Sequence, residues 1–298
     1  MVSPNQKISN EIAWNGIRFM APDDWVPAEM GNHYLMLEHA SAPILEIKWG
    51  QIKGSFSHTR HLQQLSARHK KILGKTIRPW TLPAGWQQAL GSFQADGFRW
   101  QSPHFSGMGA ALYCPFCQTA TLIQFYRNNP AVNDTIALEL LASFQDHRQD
   151  DQILWSVFDI RARMPANFKL WRHRFAAGYF ELKFTSKKHT VILNRWGPAT
   201  ILLAGRDMVG FAGSVASFPS SAPKPVFGED PTVVEWTFPR AAGRWSRLAN
   251  RIKIRPYLQQ FHMWHIEEKN RILAVRTEGR RPLPPPVFSM ICKGFGCV

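Results

Sequence analysis

The 298-residue sequence predicts an α+β fold that occurs twice in tandem. Segments of strand character alternate with amphipathic helical segments, and the order of elements in the first half recurs in the second. With 45% hydrophobic residues the chain can bury a substantial core, which excludes an intrinsically disordered protein. No apolar stretch reaches the roughly 18 to 20 residues of a bilayer span, and no secretory signal is visible. Because four cysteines in so long a chain favour a reducing compartment, we expect a cytoplasmic protein without a membrane partner.

An internal repeat divides the chain into two halves. The segment IRFMAPDDW recurs as IRARMPANF, and YLMLEHASAPILEIKWG recurs as YFELKFTSKKHTVILNRWG. Pro22 and Pro165 begin Pro-x-x-aromatic turns that are 143 residues apart (165 − 22), and Tyr34 and Tyr179 are 145 apart (179 − 34). An offset that drifts so slowly requires only short loop insertions. We therefore expect a first repeat over residues 1–149 and a second over residues 150–298, divided by the polar run DHRQDDQ.

The two repeats are predicted to contain the same elements in the same order. A helix follows the basic-Trp-Gly end of an early strand, as SHTRHLQQLSARHKKIL in the first repeat and ATILLAGRDMVGFAGSV in the second. Strands around Trp100 and Trp236 come next, and a long hairpin follows each of them. A short helix closes each repeat: DTIALELLASF, capped by Asn133 or Asp134, and PVFSMICKGF, with Pro286 in its first turn.

This element order, with the Ala-Ser-Phe helix end at residues 142–144, resembles the PsbP-like (Mog/PsbP) α/β/α sandwich family. The resemblance implies a mostly antiparallel sheet flanked by helices in each half, so that the chain would contain two tandem PsbP-like domains. Members of that family are binding proteins without a shared catalytic centre. The resemblance therefore implies a binding role and assigns no site residue.

Enzyme signatures are absent from the sequence, which has no Gly-x-x-x-x-Gly-Lys-Ser/Thr loop, Gly-x-Ser-x-Gly elbow, His-Glu-x-x-His or Gly-x-Gly-x-x-Gly motif. We expect a non-catalytic binding or adaptor protein. A nucleic-acid or phosphate-ligand binding protein is the first alternative. A thiol or metal-dependent enzyme is the second.

The motif Cys114-Pro-Phe-Cys117 has three interpretations: a redox dithiol, a metal-binding turn and a pair of buried thiols. A redox dithiol requires its first cysteine at a helix N-terminus, whereas the residues that follow, QTATLIQFY, are typical of a strand. Pro115 cannot donate to a strand ladder and favours a turn, which would bring both sulfur atoms together.

The repeat adds a hypothesis about further metal ligands. At an offset of 148 residues (262 − 114), Cys114 and Cys117 fall opposite His262 and His265. Two cysteines and two histidines are a sufficient tetrahedral set for zinc. We therefore predict a zinc site formed by these four residues, with a pair of interface or surface histidines as the alternative for His262 and His265.

Positive charge is concentrated in the second half of the chain. Residues 1–150 contain 13 basic and 11 acidic side chains, whereas residues 151–298 contain the other 23 and 10, which accounts for most of the net charge of +15. We expect the densest basic stretch to form an exposed protrusion that binds nucleic-acid phosphates or an acidic protein surface, with a solvated face as the alternative. Its predicted binding residues are Arg240, Arg244, Arg247, Arg251, Lys253 and Arg255.

Overall fold

The computed structural model describes residues 7–53, 57, 76–146, 151–216, 226–227, 233–237, 257–279 and 281–298. The chain divides into two units. Unit 1 comprises Met1–Asp150 with Leu154–Phe158, and unit 2 comprises Asp151–Ile153 with Asp159–Val298. Each unit is built around a seven-stranded sheet in which neighbouring strands are antiparallel.

The sheet of unit 1 has the strand order β3-β4-β5-β9-β8-β7-β6. A hairpin of β1 and β2 precedes it, and Ala13 of β1 also pairs with Ser156. The strands are β1 (Ile8–Trp14), β2 (Ile17–Pro22), β3 (Val26–Gly31), β4 (Tyr34–His39), β5 (Ala42–Gln51), β6 (Thr76–Trp80), β7 (Gln94–Gln101), β8 (Ser106–Cys114) and β9 (Thr119–Tyr126). The helices described in this unit are α1 (Ala84–Ala89) and α2 (Asp134–Ser143).

The sheet of unit 2 has the order β12-β13-β14-β18-β17-β16-β15, and β11 pairs with β19. The strands from the boundary onward are β10 (Gln152–Val157), β11 (Ile160–Pro165), β12 (Lys169–Ala176), β13 (Tyr179–Thr185), β14 (His189–Trp196), β15 (Val226–Phe227), β16 (Val233–Thr237), β17 (Tyr257–Ile266), β18 (Arg271–Gly279) and β19 (Gly296–Cys297). The described helices are α3 (Ala199–Leu202), α4 (Met208–Val215) and α5 (Pro285–Lys293).

The predicted fold class, two tandem PsbP-like α/β/α sandwiches, is wrong. The fold is rich in antiparallel strands, and the helices in the described ranges are only four to ten residues long. The segment ATILLAGRDMVGFAGSV shows why helix was overestimated, because it forms two short helices separated at Gly205, whose φ is +74°. Of the helix predicted in the first repeat, only Ser57 lies within the described residues.

The Pro-x-x-aromatic segments form the same hydrogen-bonded turn in both units. The Trp25 N–H donates to the Pro22 carbonyl at 3.1 Å, and the Phe168 N–H donates to the Pro165 carbonyl at 3.0 Å. Both aromatic side chains are buried. The turns predicted from the repeat are therefore confirmed, and each is fixed by burial of its aromatic residue.

Cross-strand partners relate the two sheets position by position. We start from Tyr34 in unit 1 and Tyr179 in unit 2. In each sheet we then move to the paired residue on the neighbouring strand, or by the same number of residues along a strand. The residues that are reached together in the two sheets are equivalent. These pairs are Lys48 and Trp196, Leu122 and Ile272, Ala111 and His265, Gly107 and Phe261, and finally Trp100 and Trp236. The series ends on two tryptophans, as expected for a duplicated sheet. For β8 and β17 the offset is 154 residues (265 − 111), so the offset of 148 used to align the hairpins is wrong by six.

Helices α3 and α4 pack on one face of the unit 2 sheet. The ring of Phe211 meets the ring of Trp196 edge to face, with centroids 5.6 Å apart. Burial of one such side chain contributes about 1.5 to 3 kcal/mol. The buried core at this face also includes Met208, Ala212, Val234, Trp236, Phe261, Met263, Ile272 and Ala274.

In unit 1, helix α2 begins where the sequence predicted. The Asn133 side chain accepts a hydrogen bond from the Ile136 N–H at 2.9 Å, which caps the first turn. The helix buries Ile136, Ala137, Leu140 and Leu141.

Two glycines of β8 allow aromatic rings to lie directly against the sheet. A Cβ atom on Gly107 would lie 2.5 Å from the Trp100 ring, and one on Gly109 would lie 2.8 Å from the Phe98 ring. Larger residues cannot occupy these positions without displacing the rings.

Candidate metal centre and ligand cavity

The Cys-Pro-Phe-Cys segment forms the turn between β8 and β9. Cys114 ends β8, and its carbonyl accepts a hydrogen bond from the Gln118 N–H at 2.9 Å. Gln118 has a φ of +57°, a left-handed conformation that closes the turn. Its carbonyl in turn accepts from the Ile52 N–H at 2.9 Å. The turn that Pro115 favoured is therefore confirmed.

Asp146 completes a group of three ligand residues with Cys114 and Cys117. The adjoining residue, Gln145, exchanges two backbone hydrogen bonds of 2.9 Å with Arg18, which fixes the chain beside the turn. The two Sγ atoms and a carboxylate oxygen all lie within 4.8 Å of one another. Cys114 and Asp146 are buried, and Cys117 is half-buried.

The geometry of the group matches a metal site. The Cys117 Sγ atom is 3.4 Å from Asp146 Oδ2. In a tetrahedral zinc site, bonds of about 2.3 Å to sulfur and about 2.0 Å to oxygen place two such ligand atoms about 3.5 Å apart. Together with the 4.8 Å limit on all three separations, this distance shows that the group can hold a metal ion.

Burial raises the pKa of the Cys117 thiol to about 11. The negative charge of Asp146 contributes to this increase, whereas hydrogen bonds from the hydroxyl and N–H of Thr119 oppose it. The thiol is therefore protonated at neutral pH when no metal is bound, unlike the activated thiolate of a redox dithiol. A bound metal would replace the thiol proton, and the same two Thr119 donors would stabilise the resulting thiolate.

The predicted histidine ligands lie in unit 2, on β17. The Nδ1 atom of His262 is 3.5 Å from Glu235 Oε2. Burial lowers the pKa of His262, an effect that the Glu235 charge opposes. The Nε2 atom of His265 is buried and has no hydrogen-bond partner among the described residues.

The strand registers correct the alignment that suggested these histidines. With the offset of 154, His262 is equivalent to Met108 and His265 is equivalent to Ala111. Neither histidine is equivalent to a cysteine of the turn. A zinc site shared by Cys114, Cys117, His262 and His265 therefore has no support from the repeat and stays a prediction.

The predicted basic protrusion falls outside the part of the chain that the structure describes. Its proposed role in binding phosphates or an acidic surface stays a prediction. The residues concerned are Arg240, Arg244, Arg247, Arg251, Lys253 and Arg255.

A cavity of about 630 Å³ lies within unit 2. It is lined by the start of β10, the turn after β11, the β13–β14 turn and the start of α5. Its apolar lining residues are Pro165, Phe168, Leu283, Pro284, Val287 and Met290. Its polar lining residues are Asp151, Gln152, Asn167, Ser186, Lys187, Lys188 and His189.

Ser186 and His189 line this cavity and are joined through the His189 backbone. The Ser186 hydroxyl donates to the His189 backbone carbonyl and accepts from the His189 N–H, both at 3.2 Å. Burial lowers the pKa of His189, while its hydrogen bonds to the backbone of Arg281 and Pro282 raise it. Among the described residues, the Ser186 hydroxyl is thus bonded to the backbone of His189 rather than to its imidazole.

Sequence reasoning missed both Asp146 and the cavity. Asp146 begins the polar run that we interpreted as a domain boundary, and its proximity to Cys117 depends on the pairing of Gln145 with Arg18, residues 127 positions apart. The cavity depends on four segments that are distant in sequence. The pair Lys187-Lys188 beside a strand was the one local signal.

Within the described ranges, no helix has both the length and the apolar character required to span a membrane. No protein-family model matches the chain, and no curated protein matches it.

Proposed function

We propose that this chain is a non-catalytic binding protein whose unit 1 is stabilised by a structural zinc ion held by Cys114, Cys117 and Asp146. The observation that supports it most directly is the 3.4 Å separation of Cys117 Sγ from Asp146 Oδ2, close to the value for two ligands of one zinc ion. Two thiolates and a carboxylate suit zinc better than the hard cations magnesium and calcium, which prefer oxygen ligands. A fourth ligand would complete the tetrahedron.

The binding role is supported by the cavity of unit 2. Its volume of about 630 Å³ falls in the range of about 300 to 1,000 Å³ typical of ligand sites. Its serine and histidine are hydrogen-bonded to backbone groups, which favours binding without turnover. Four free cysteines are compatible with the reducing conditions of the cytoplasm, the compartment that we propose.

Elemental analysis of the full chain, purified without a histidine tag, tests the metal. We expect about one zinc per chain. Cys117→Ser and Asp146→Asn should each lower the zinc content at least tenfold and lower the melting temperature, because binding energy of a structural metal becomes folding energy. Cys297→Ser is the matched control, because Cys297 lies in β19 of unit 2, and it should retain the zinc.

Two outcomes would contradict this assignment. Metal-free wild-type protein that melts no earlier than the purified form would exclude a structural metal. Loss of zinc from His265→Ala together with full retention in Asp146→Asn would favour the four-residue site predicted from sequence instead.

A further inference from the structure

We propose that the cavity of unit 2 binds a single-chain amphiphile with an anionic headgroup, of the class of medium-chain fatty acids. The inference rests on the proposed binding function and names its ligand class. All lining residues of the cavity belong to unit 2.

The cavity wall selects an alkyl chain. Its apolar residues are aliphatic or proline, apart from Phe168. Phe168 and Leu283 are buried and form the inner part of this wall, whereas Pro165, Val287 and Met290 are half-buried and Pro284 is exposed. A ligand body with hydroxyl or amide groups would lose hydrogen bonds to water against such a wall, whereas a saturated chain would not.

The cations at the edge of the cavity select the charge of the headgroup. Lys187 and Lys188 occupy the turn between β13 and β14, which is closed by a hydrogen bond of 2.8 Å from the Ser186 N–H to the His189 carbonyl. Both lysines are exposed, and among the described residues Asp151 is the one carboxylate that lines the cavity. The edge therefore carries two positive charges against one negative charge, since the pKa of His189 is lowered by burial.

The start of α5 also lines the cavity, but it cannot bind the headgroup. Pro285 and Pro286 have no N–H, and the N–H groups of Val287 and Phe288 both donate to the Pro284 carbonyl. No backbone donor in this first turn is left for an anion, in contrast to an ordinary helix N-terminus. Lys187 and Lys188 are the cationic side chains of the described lining, and we assign recognition of the anionic charge to their ammonium groups.

Calorimetric titration of the zinc-loaded full chain with decanoate tests the proposal. We expect one saturable site, and affinity that increases about fourfold for each methylene added from octanoate to decanoate, the value for burial of a CH₂ group. Decyltrimethylammonium, with the same chain and the opposite charge, should bind at least tenfold more weakly.

Variants test the recognition of the anionic headgroup and of the alkyl chain separately. The double variant Lys187→Gln/Lys188→Gln should weaken decanoate binding about tenfold and leave the binding of decanol unchanged. Lys169→Gln/Lys269→Gln, which neutralises two exposed lysines outside the cavity lining, is the matched control and should bind decanoate like the wild type. Val287→Trp should fill the cavity and abolish binding of both ligands.

Equal affinity for decanoate and decyltrimethylammonium, no dependence on chain length, or unchanged binding by Val287→Trp would each overturn the proposal. If decanoate fails to bind while the zinc content is as expected, this inference alone fails. Hydrolysis of a decanoyl ester that is abolished in Ser186→Ala would instead overturn the non-catalytic function.

Discussion

The carboxylate of Asp159 contacts the guanidinium group of Arg195, a side chain that is only 7% exposed. The same oxygen accepts a hydrogen bond from Arg271 Nε at 2.8 Å. The Arg195 guanidinium also lies 4.4 Å from the centre of the Phe180 ring. One partly buried carboxylate thus compensates two cations of the unit 2 sheet.

Removing the charge of Asp159 should destabilise unit 2. Asp159→Asn leaves Arg195 buried without its counter-ion, and we expect the free energy of unfolding to fall by about 3 kcal/mol. Urea denaturation monitored by circular dichroism measures the change. Asp134→Asn, at an exposed position in α2, should change it by no more than about 0.5 kcal/mol. A decrease in Asp159→Asn no greater than in this control would show that Arg195 does not depend on the carboxylate.

Glu46 should make unit 1 sensitive to acid. Burial raises its pKa, but contacts with Lys48, Gln124 and Tyr126 lower it more, so that the pKa lies below its ordinary value of 4.5. A carboxyl group whose pKa is lower in the folded state stabilises the fold above the unfolded pKa. That contribution disappears as the pH falls through the folded pKa.

In the wild type, the free energy of unfolding should decrease as the pH falls below about 4.5. We therefore expect this decrease to be smaller in Glu46→Gln. Urea denaturation at a series of pH values provides the measurement. Glu139→Gln, on the exposed side of α2, should leave the pH dependence as in the wild type. The interpretation fails if both variants follow the wild-type curve.

Gly109 should tolerate no side chain. A Cβ atom there would lie 2.1 Å from the Ile123 carbonyl oxygen, and we expect Gly109→Ala to lower the free energy of unfolding by about 3 kcal/mol. The control is Gly213→Ala in α4, where nothing lies within 4 Å of the added carbon and alanine favours the helix by about 0.5 to 1 kcal/mol. Thermal unfolding of both variants should shift the midpoint in opposite directions; shifts of the same sign would contradict the packing argument.

The basic stretch should determine any polyanion binding. Neutralising Arg244, Arg247 and Arg251 to glutamine should weaken binding to single-stranded nucleic acid. It should also reduce the log–log salt slope by roughly one for each phosphate that the protein no longer neutralises. Fluorescence anisotropy measures the binding. If the variant binds like the wild type, the basic stretch is only a solvated face.

Features that depend on neighbouring residues were predictable from the sequence. The turns at Pro22 and Pro165, the cap at Asn133 and the turn at Cys114 each follow from residues within four positions of one another. Such features need no knowledge of which strands become neighbours.

Features that depend on strand pairing were not predictable. The hairpins were misaligned by six residues because alternation of side chains looks the same after any even shift. Asp146 was missed because its distance from Cys117 is set by the pairing of Gln145 with Arg18, which has no trace in either local sequence.

The two glycines of β8 also bear on how a chain with two similar sheets avoids misassembly. Tandem domains of one topology are prone to exchange strands while they fold. Gly107 is equivalent to Phe261, and by the same register Gly109 is equivalent to Met263. A β17 strand inserted in place of β8 would drive a phenylalanine and a methionine into space that has no room for even a methyl group. The difference in side-chain size thus opposes insertion of β17 into the unit 1 sheet.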